Sequence, residues 1–184
     1  MTTPTDERRA LWTYAAFAVA LATALGSLFL SYGLGLIACP LCFYQRTFAL
    51  GALGVLAMGL LTGAGRSAPL AALALPLAAG GLALAVFHVR LELTGRMECP
   101  AGILELGSAP QQSLAGFAVL TALLVIDLLS NGGAARLVAL AGGLVLGALF
   151  AAGCIVTSSP PCRVLPEEYA SPPKGCRPPQ PQQP

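Results

Sequence analysis

Charge is scarce in this chain. Asp, Glu, Lys and Arg make up 10% of its 184 residues, while 56% are hydrophobic; an average soluble domain has about a quarter of its residues charged. Such a balance implies a protein that spends most of its length in lipid. The net charge of +2 is small and the basic residues are scattered, so no nucleic-acid partner is expected. Histidine occurs once, as His88, and no second Cys-x-x-Cys accompanies the one at Cys39 and Cys42. A zinc site needs two ligands beyond that pair, and the motif pattern supplies none, so no metal is expected. Position 43 is Phe rather than His, which excludes covalent haem attachment at the motif. Internal repeats are absent, and nothing marks a second soluble domain.

What the chain has in abundance is apolar run. A hydrocarbon core of about 30 Å takes about 20 helical residues to cross, and stretches of that order occur near Leu11 to Tyr32, Phe43 to Leu61, Pro69 to Val89, Ser113 to Leu129 and Ala134 to Val156. Backbone groups in lipid must pair within their own segment, so each stretch is expected to be an α-helix. Turn formers in "TGAGRSAP" and "SNGGAAR" make short connections, which favour antiparallel neighbours. The expected fold is all-α, a polytopic membrane bundle over residues 1–156, followed by an irregular Pro-rich tail over 157–184. Glycine steps such as "AAGGLALA" are read as close helix packing. Asp127, costly within a span, is expected to pair with Arg136 or to snorkel.

With five spans, all six cysteines fall on one side of the membrane. Cys39 and Cys42 follow the first span, Cys99 the third, and Cys154, Cys162 and Cys176 lie at or beyond the end of the fifth. Disulfides persist on the oxidising side, so this face is expected to be periplasmic or extracellular and the amino terminus cytoplasmic. The arginines help less, because Arg46, Arg90, Arg96, Arg163 and Arg177 share the cysteine side. The first span also resembles a signal peptide ending in "LIAC", but its apolar length exceeds the 7 to 15 residues usual for a signal core.

The stretch "IACPLCFYQR" places a dithiol and a fixed cation at the membrane edge. A thiol reacts as thiolate, and its pKa falls at a helix amino terminus or beside a cation. Cys42 immediately precedes the second apolar run, so its sulfur is expected to face the unpaired N–H groups there. Arg46 follows one turn later. A cation at that helix end is unfavourable by about 0.3 to 1 kcal/mol, which points to an anionic partner, the alternative being an interfacial side chain that snorkels. For the pair itself the alternatives are a static disulfide or half of a zinc site.

"LGSLFLSYGLGLIACPLCFYQR", residues 25 to 46, closely resembles the DsbB family of membrane disulfide-forming enzymes, and the likeness runs through the first four spans. The fifth span and its tail depart from the family's four-helix plan. The resemblance implies a bacterial inner-membrane oxidase that takes electrons from a DsbA-like, thioredoxin-fold thiol oxidase and passes them to a membrane quinone, ubiquinone or menaquinone. On this resemblance Cys39 and Cys42 are the quinone-coupled pair, with Cys42 facing the quinone and Cys39 exchanging with a second disulfide, and Arg46 holds the quinone. His88, near the cysteine end of the third span, is read as facing the quinone ring or as an interfacial side chain anchored by water.

Family members generally carry two cysteines in the loop before the fourth span, but here that loop has only Cys99. With Cys39 and Cys42 paired, the remaining four cysteines allow three pairings. Cys99 with Cys176 is favoured for the reach of the tail, leaving Cys154 with Cys162; a purely structural clip is the alternative. Two rival functions stand beside the oxidase. A vitamin K epoxide reductase-like protein shares the chemistry but has the Cys-x-x-Cys at its last core helix, the reverse of the order here. A non-enzymatic metal-binding protein would use Cys39, Cys42 and tail thiols as ligands.

Overall fold

The computed structural model describes residues 4–63, 68–130, 135–158 and 174–177. Five helices follow in order: α1 (Pro4–Tyr32), α2 (Pro40–Leu61), α3 (Ala68–Leu93), α4 (Ala109–Ser130) and α5 (Ala135–Thr157), with one 3-10 turn, Ile103–Glu105, before α4. All five are long and apolar enough to cross a membrane. The expected polytopic helical bundle is the architecture found, and no named strand occurs among the described residues. Of the tail, residues 159–173, which include Cys162, and 178–184 lie outside the described residues.

Helices α2 and α4 begin three to four residues earlier than the apolar runs suggest, because caps rather than hydropathy set their ends. Helix α2 starts at Pro40, not near Phe43, with Cys39 as its N-cap and proline in its first turn. Proline suits that position, since its fixed φ is helical and its missing N–H would have been unpaired there. Helix α4 starts at Ala109, not near Ser113. Ser108 and Gln111 form a reciprocal box ahead of it: the Gln111 N–H donates to Ser108 Oγ at 3.4 Å and the Ser108 N–H to Gln111 Oε1 at 3.3 Å. The Ser108 hydroxyl also donates to Glu92 at 2.7 Å, tying this end of α4 to the end of α3.

Helices α1, α2, α3 and α4 form a ring in which α1 packs on α2 and α4 while α3 packs on the same two from the opposite side. Helix α5 docks outside the ring, mainly against α3. Lipid tails are as apolar as leucine, so close packing rather than water exclusion holds such helices together. Glycine provides it on both faces of α3. A side-chain carbon on Gly81 would overlap the Phe117 ring of α4, and one on Gly147 of α5 would lie 2.8 Å from the Pro76 carbonyl oxygen of α3. Buried Ala16, Ala20 and Ala24 give α1 a smooth inner stripe. Towards the end opposite the cysteines, Thr13 donates to buried Asp127 at 3.3 Å. Arg136, at the start of α5 and one of the two expectations for Asp127, donates to the Leu129 carbonyl at the end of α4 at 3.0 Å.

Candidate functional site

The junction between α1 and α2 places the first pair of sulfurs. As N-cap, Cys39 holds an extended backbone and its Sγ accepts the Cys42 N–H at 3.2 Å. The two sulfurs are free thiols 2.9 Å apart. It is therefore Cys39, not Cys42 as the apolar pattern suggested, whose sulfur meets the open helix end. Cys42 sits one turn inside α2, where side chains point back along the helix rather than capping it. The consequence is electrostatic. The Cys42 thiol donating to it, then buried His88 beside it, hold the Cys39 thiol well below its ordinary value of 9.0, at about 5, against the opposing effect of burial.

A depressed pKa fixes the sign of a pH effect. The dithiol form gains stability that is fully present above pH 9, shrinks as pH falls between 9 and 5, and is lost below about 5. Alkylation of Cys39 by iodoacetamide in the reduced protein is accordingly expected to stay near its plateau at pH 6 and to fall only around pH 5. In Cys42→Ala the inflection moves up toward the ordinary thiol value. An unmodified protein that titrates near 9 contradicts this account.

His88 occupies the space between the first pair and the second. It is completely buried on α3, with Nε2 3.9 Å from Cys39 Sγ and 3.5 Å from Cys99 Sγ. Its Nδ1 lies 3.2 Å from the amide nitrogen of Gln45, itself buried on α2. With the Gln45 amide nitrogen on Nδ1, a ring carrying its proton on Nε2 would aim that proton at the sulfurs. His88 does not line the large cavity described below; the structure places it against sulfur.

Cys99 is disulfide-bonded to Cys176 across 77 residues of sequence, the pairing favoured for the tail's reach. Cys154 is a free thiol, and its expected partner Cys162 falls outside the described residues. Backbone pairing holds the tail segment 174–177 on both sides. The Ile37 N–H donates to the Lys174 carbonyl at 2.8 Å, and Glu98 and Arg177 exchange N–H to carbonyl bonds at 2.8 and 2.9 Å. The Arg177 guanidinium adds an ion pair with Glu98 at 3.4 Å. Glycine is required at 175, where any Cβ would come within 2.8 Å of the Ile37 carbonyl oxygen.

Beside these sulfurs lies a cavity of about 450 Å³, walled by α1, α2, α4 and the loop before α4. Its lining includes Cys42, Arg46 and Cys176 among mostly apolar side chains such as Leu30, Ile103 and Phe117. Arg46 is held rather than snorkelling. Its Nε donates to Ser27 Oγ at 3.0 Å, and its Nη2 donates to the Ser27 carbonyl at 3.0 Å and to Ser31 Oγ. Gln112 clamps the opposite wall, bonding the Ile103 N–H and carbonyl at 2.9 and 2.8 Å. Ser27, Ser31, Gln45 and Gln112 were not singled out from sequence. A serine pair four residues apart in an apolar span, and a glutamine inside another, were the available signals, since buried polar groups in lipid are there to bond something.

The sequence model of one family, Disulfide bond formation protein DsbB, matches residues 8–116. The match takes in α1 to α3 and the opening turns of α4, and so contains Cys39, Cys42, Arg46, His88 and Cys99 but neither α5 nor the tail. No curated protein and no solved structure matches the chain. With more than half of its residues under that match, the chain belongs to the DsbB family of disulfide bond formation proteins.

Proposed function

We propose that this chain is a protein-dithiol:quinone oxidoreductase, which reoxidises a thioredoxin-like thiol oxidase outside the cytoplasm and delivers the electrons to a quinone in the bacterial inner membrane. The observation that carries this reading is that Cys42, Arg46 and Cys176 line one apolar cavity. A sulfur of the entry disulfide, a sulfur of the first pair and a fixed cation thereby meet in one cavity. The periplasm is a compartment where a disulfide such as Cys99–Cys176 persists, which supports the reading with the cysteine end outside and the amino terminus inside.

The cavity suits a quinone ring. Its walls are apolar, its volume lies within the usual range for small-molecule sites, about 300 to 1,000 Å³, and its polar groups are few. A bound quinone would supply a sink for two electrons and two protons. Arg46, preset by Ser27 and Ser31, would orient the ring through charge-assisted bonds to a carbonyl oxygen, with Cys42 the sulfur nearest to hand.

Electron entry follows from which sulfurs are close. Cys176 Sγ lies within 4.8 Å of both Cys39 Sγ and Cys42 Sγ. A partner thiolate would attack Cys99 and expel Cys176 as thiolate; Cys176 would attack Cys39 in the oxidised first pair and expel Cys42. The partner's second thiolate releases Cys99, which attacks Cys176, reforms Cys99–Cys176 and expels Cys39. That last step is helped by the low pKa of Cys39, since a more acidic thiol leaves faster. His88 Nε2–H, 3.5 Å from Cys99, would stabilise the negative charge that appears there during exchange.

Arg46→Ala tests the acceptor side. Losing a hydrogen bond to a charged group costs about 1.5 to 3 kcal/mol, so KM for a short-chain quinone is expected to rise about 10- to 100-fold, with KM for the dithiol partner unchanged. Steady-state quinone reduction in detergent, with each substrate varied in turn, checks the split. Equal effects on both, or none, would count against Arg46 as the acceptor's anchor.

A further inference from the structure

Two further ligands for the first pair, absent from the sequence pattern, arrive in space. The ligand atoms of Cys39, Cys42, His88 and Cys176 all lie within 4.8 Å of one another. Zinc with thiolate at about 2.3 Å and imidazole at about 2.0 to 2.1 Å needs tetrahedral edges of about 3.8 Å between sulfurs and about 3.5 Å from sulfur to nitrogen. The His88 Nε2 to Cys39 Sγ separation is 3.9 Å, and the Cys39 and Cys42 sulfurs, 2.9 Å apart, need open by only about 1 Å. His88 has the second support a metal ligand uses: rotating the Gln45 amide by half a turn presents its oxygen to Nδ1–H and leaves Nε2 free to coordinate.

We infer that the fully reduced chain holds one Zn²⁺ at Cys39, Cys42, His88 and Cys176, and that re-forming Cys99–Cys176 by exchange with an external disulfide, which takes up the two electrons and becomes two thiols, releases it. In the disulfide state Cys176 has no thiolate to offer. Two electrons and two protons from a dithiol, the reduced partner, open that bond to two thiols while the partner becomes a disulfide. Zn²⁺ then displaces the thiol protons of Cys39, Cys42 and Cys176, three in all, giving three thiolates, a neutral imidazole and a site of net charge −1. A closed four-ligand site is the structural type, with no open position for chemistry. All three thiolates are the ones exchange requires, so zinc would arrest the enzyme in its over-reduced state and yield only when an external disulfide takes two electrons from Cys99 and Cys176. The inference rests on the placement of these four side chains and on the Cys99–Cys176 bond being reducible, not on quinone use.

The test uses purified full-length protein in detergent, reduced with a phosphine, stripped with chelator and titrated anaerobically. Co²⁺ serves as the visible probe, and Zn²⁺ is measured by competition with a chromophoric chelator. The expected result is one Co²⁺ per chain, with the intense visible absorption and thiolate charge-transfer bands of a tetrahedral sulfur-rich site, displaced stoichiometrically by Zn²⁺. Cys99→Ser and Cys176→Ser both remove the disulfide and share any structural cost of doing so. Only the second removes a ligand: it should weaken Zn²⁺ binding at least about 10-fold relative to the first, as should His88→Ala relative to the unmodified chain. Absence of the tetrahedral spectrum, or equal affinity in Cys99→Ser and Cys176→Ser, overturns the site. Dithiol oxidation by quinone is measured separately in chelator-treated unmodified protein. Turnover without Co²⁺ binding would remove the zinc site alone, and Co²⁺ binding without turnover would remove the oxidase reading alone.

Discussion

Replacing Cys39 or Cys42 by serine is expected to reduce quinone-coupled oxidation of a protein dithiol to less than about 10⁻⁴ of the unmodified rate, the order of loss when a reacting nucleophile is deleted. Both changes break the same pair, and a hydroxyl cannot take part in disulfide exchange. They should nevertheless be distinguishable when turnover is blocked. Cys42→Ser leaves Cys39 at the N-cap, and a Cys176 thiolate released by the partner has no disulfide to attack, so the partner remains linked to Cys99 or departs by its own resolving thiol. Cys39→Ser leaves Cys42 lining the cavity without a thiol at the cap of α2. Rapid acid quench followed by non-reducing mass spectrometry reads these states. Full turnover in either variant would remove the first pair from the mechanism.

The spans were legible because lipid imposes one rule on every backbone group, and a run of about 20 apolar residues satisfies it in one way. Their starts were less so. Hydropathy does not register a cap, so Pro40 and the Ser108–Gln111 box moved two helix starts upstream, and with the first the role of the helix end passed from Cys42 to Cys39. The role of His88 was out of reach for a different reason. It depends on α2 and α3 presenting Gln45 and His88 to each other across 43 residues of sequence, which no local pattern encodes. Its depth near the end of the third span left His88 open between an acceptor ring and the interface; the packing brings it against sulfur. For the tail, chain length gave a reason to favour Cys176 over its neighbours, but the two-sided backbone pairing with Ile37 and Glu98 carries no periodicity and could not be read. Ser27 and Ser31 were readable in principle, since two hydroxyls one turn apart in lipid need a partner, and Arg46 is that partner.

Cys176→Ser should separate the two ends of the relay. Of the two sulfurs in the tail disulfide, Cys176 is the one grouped within 4.8 Å of Cys39, Cys42 and His88, so removing it deletes both the entry disulfide and the thiolate that would carry charge to the first pair. Partner-driven turnover is expected to fall below about 1% of the unmodified rate, by the same loss of an exchanging thiol. A small dithiol needs no docked disulfide and reaches the first pair by way of the cavity that Cys42 lines; its oxidation should continue at a measurable rate. Gly175→Ala supplies the graded case. Its Cβ would press within 2.8 Å of the Ile37 carbonyl, pushing the segment outward while leaving both cysteines in place, and partner-driven turnover should drop by less than in Cys176→Ser. The two assays run side by side on one preparation decide the matter. If partner-driven turnover survives the loss of Cys176, the tail is a clip, and electrons enter the first pair directly.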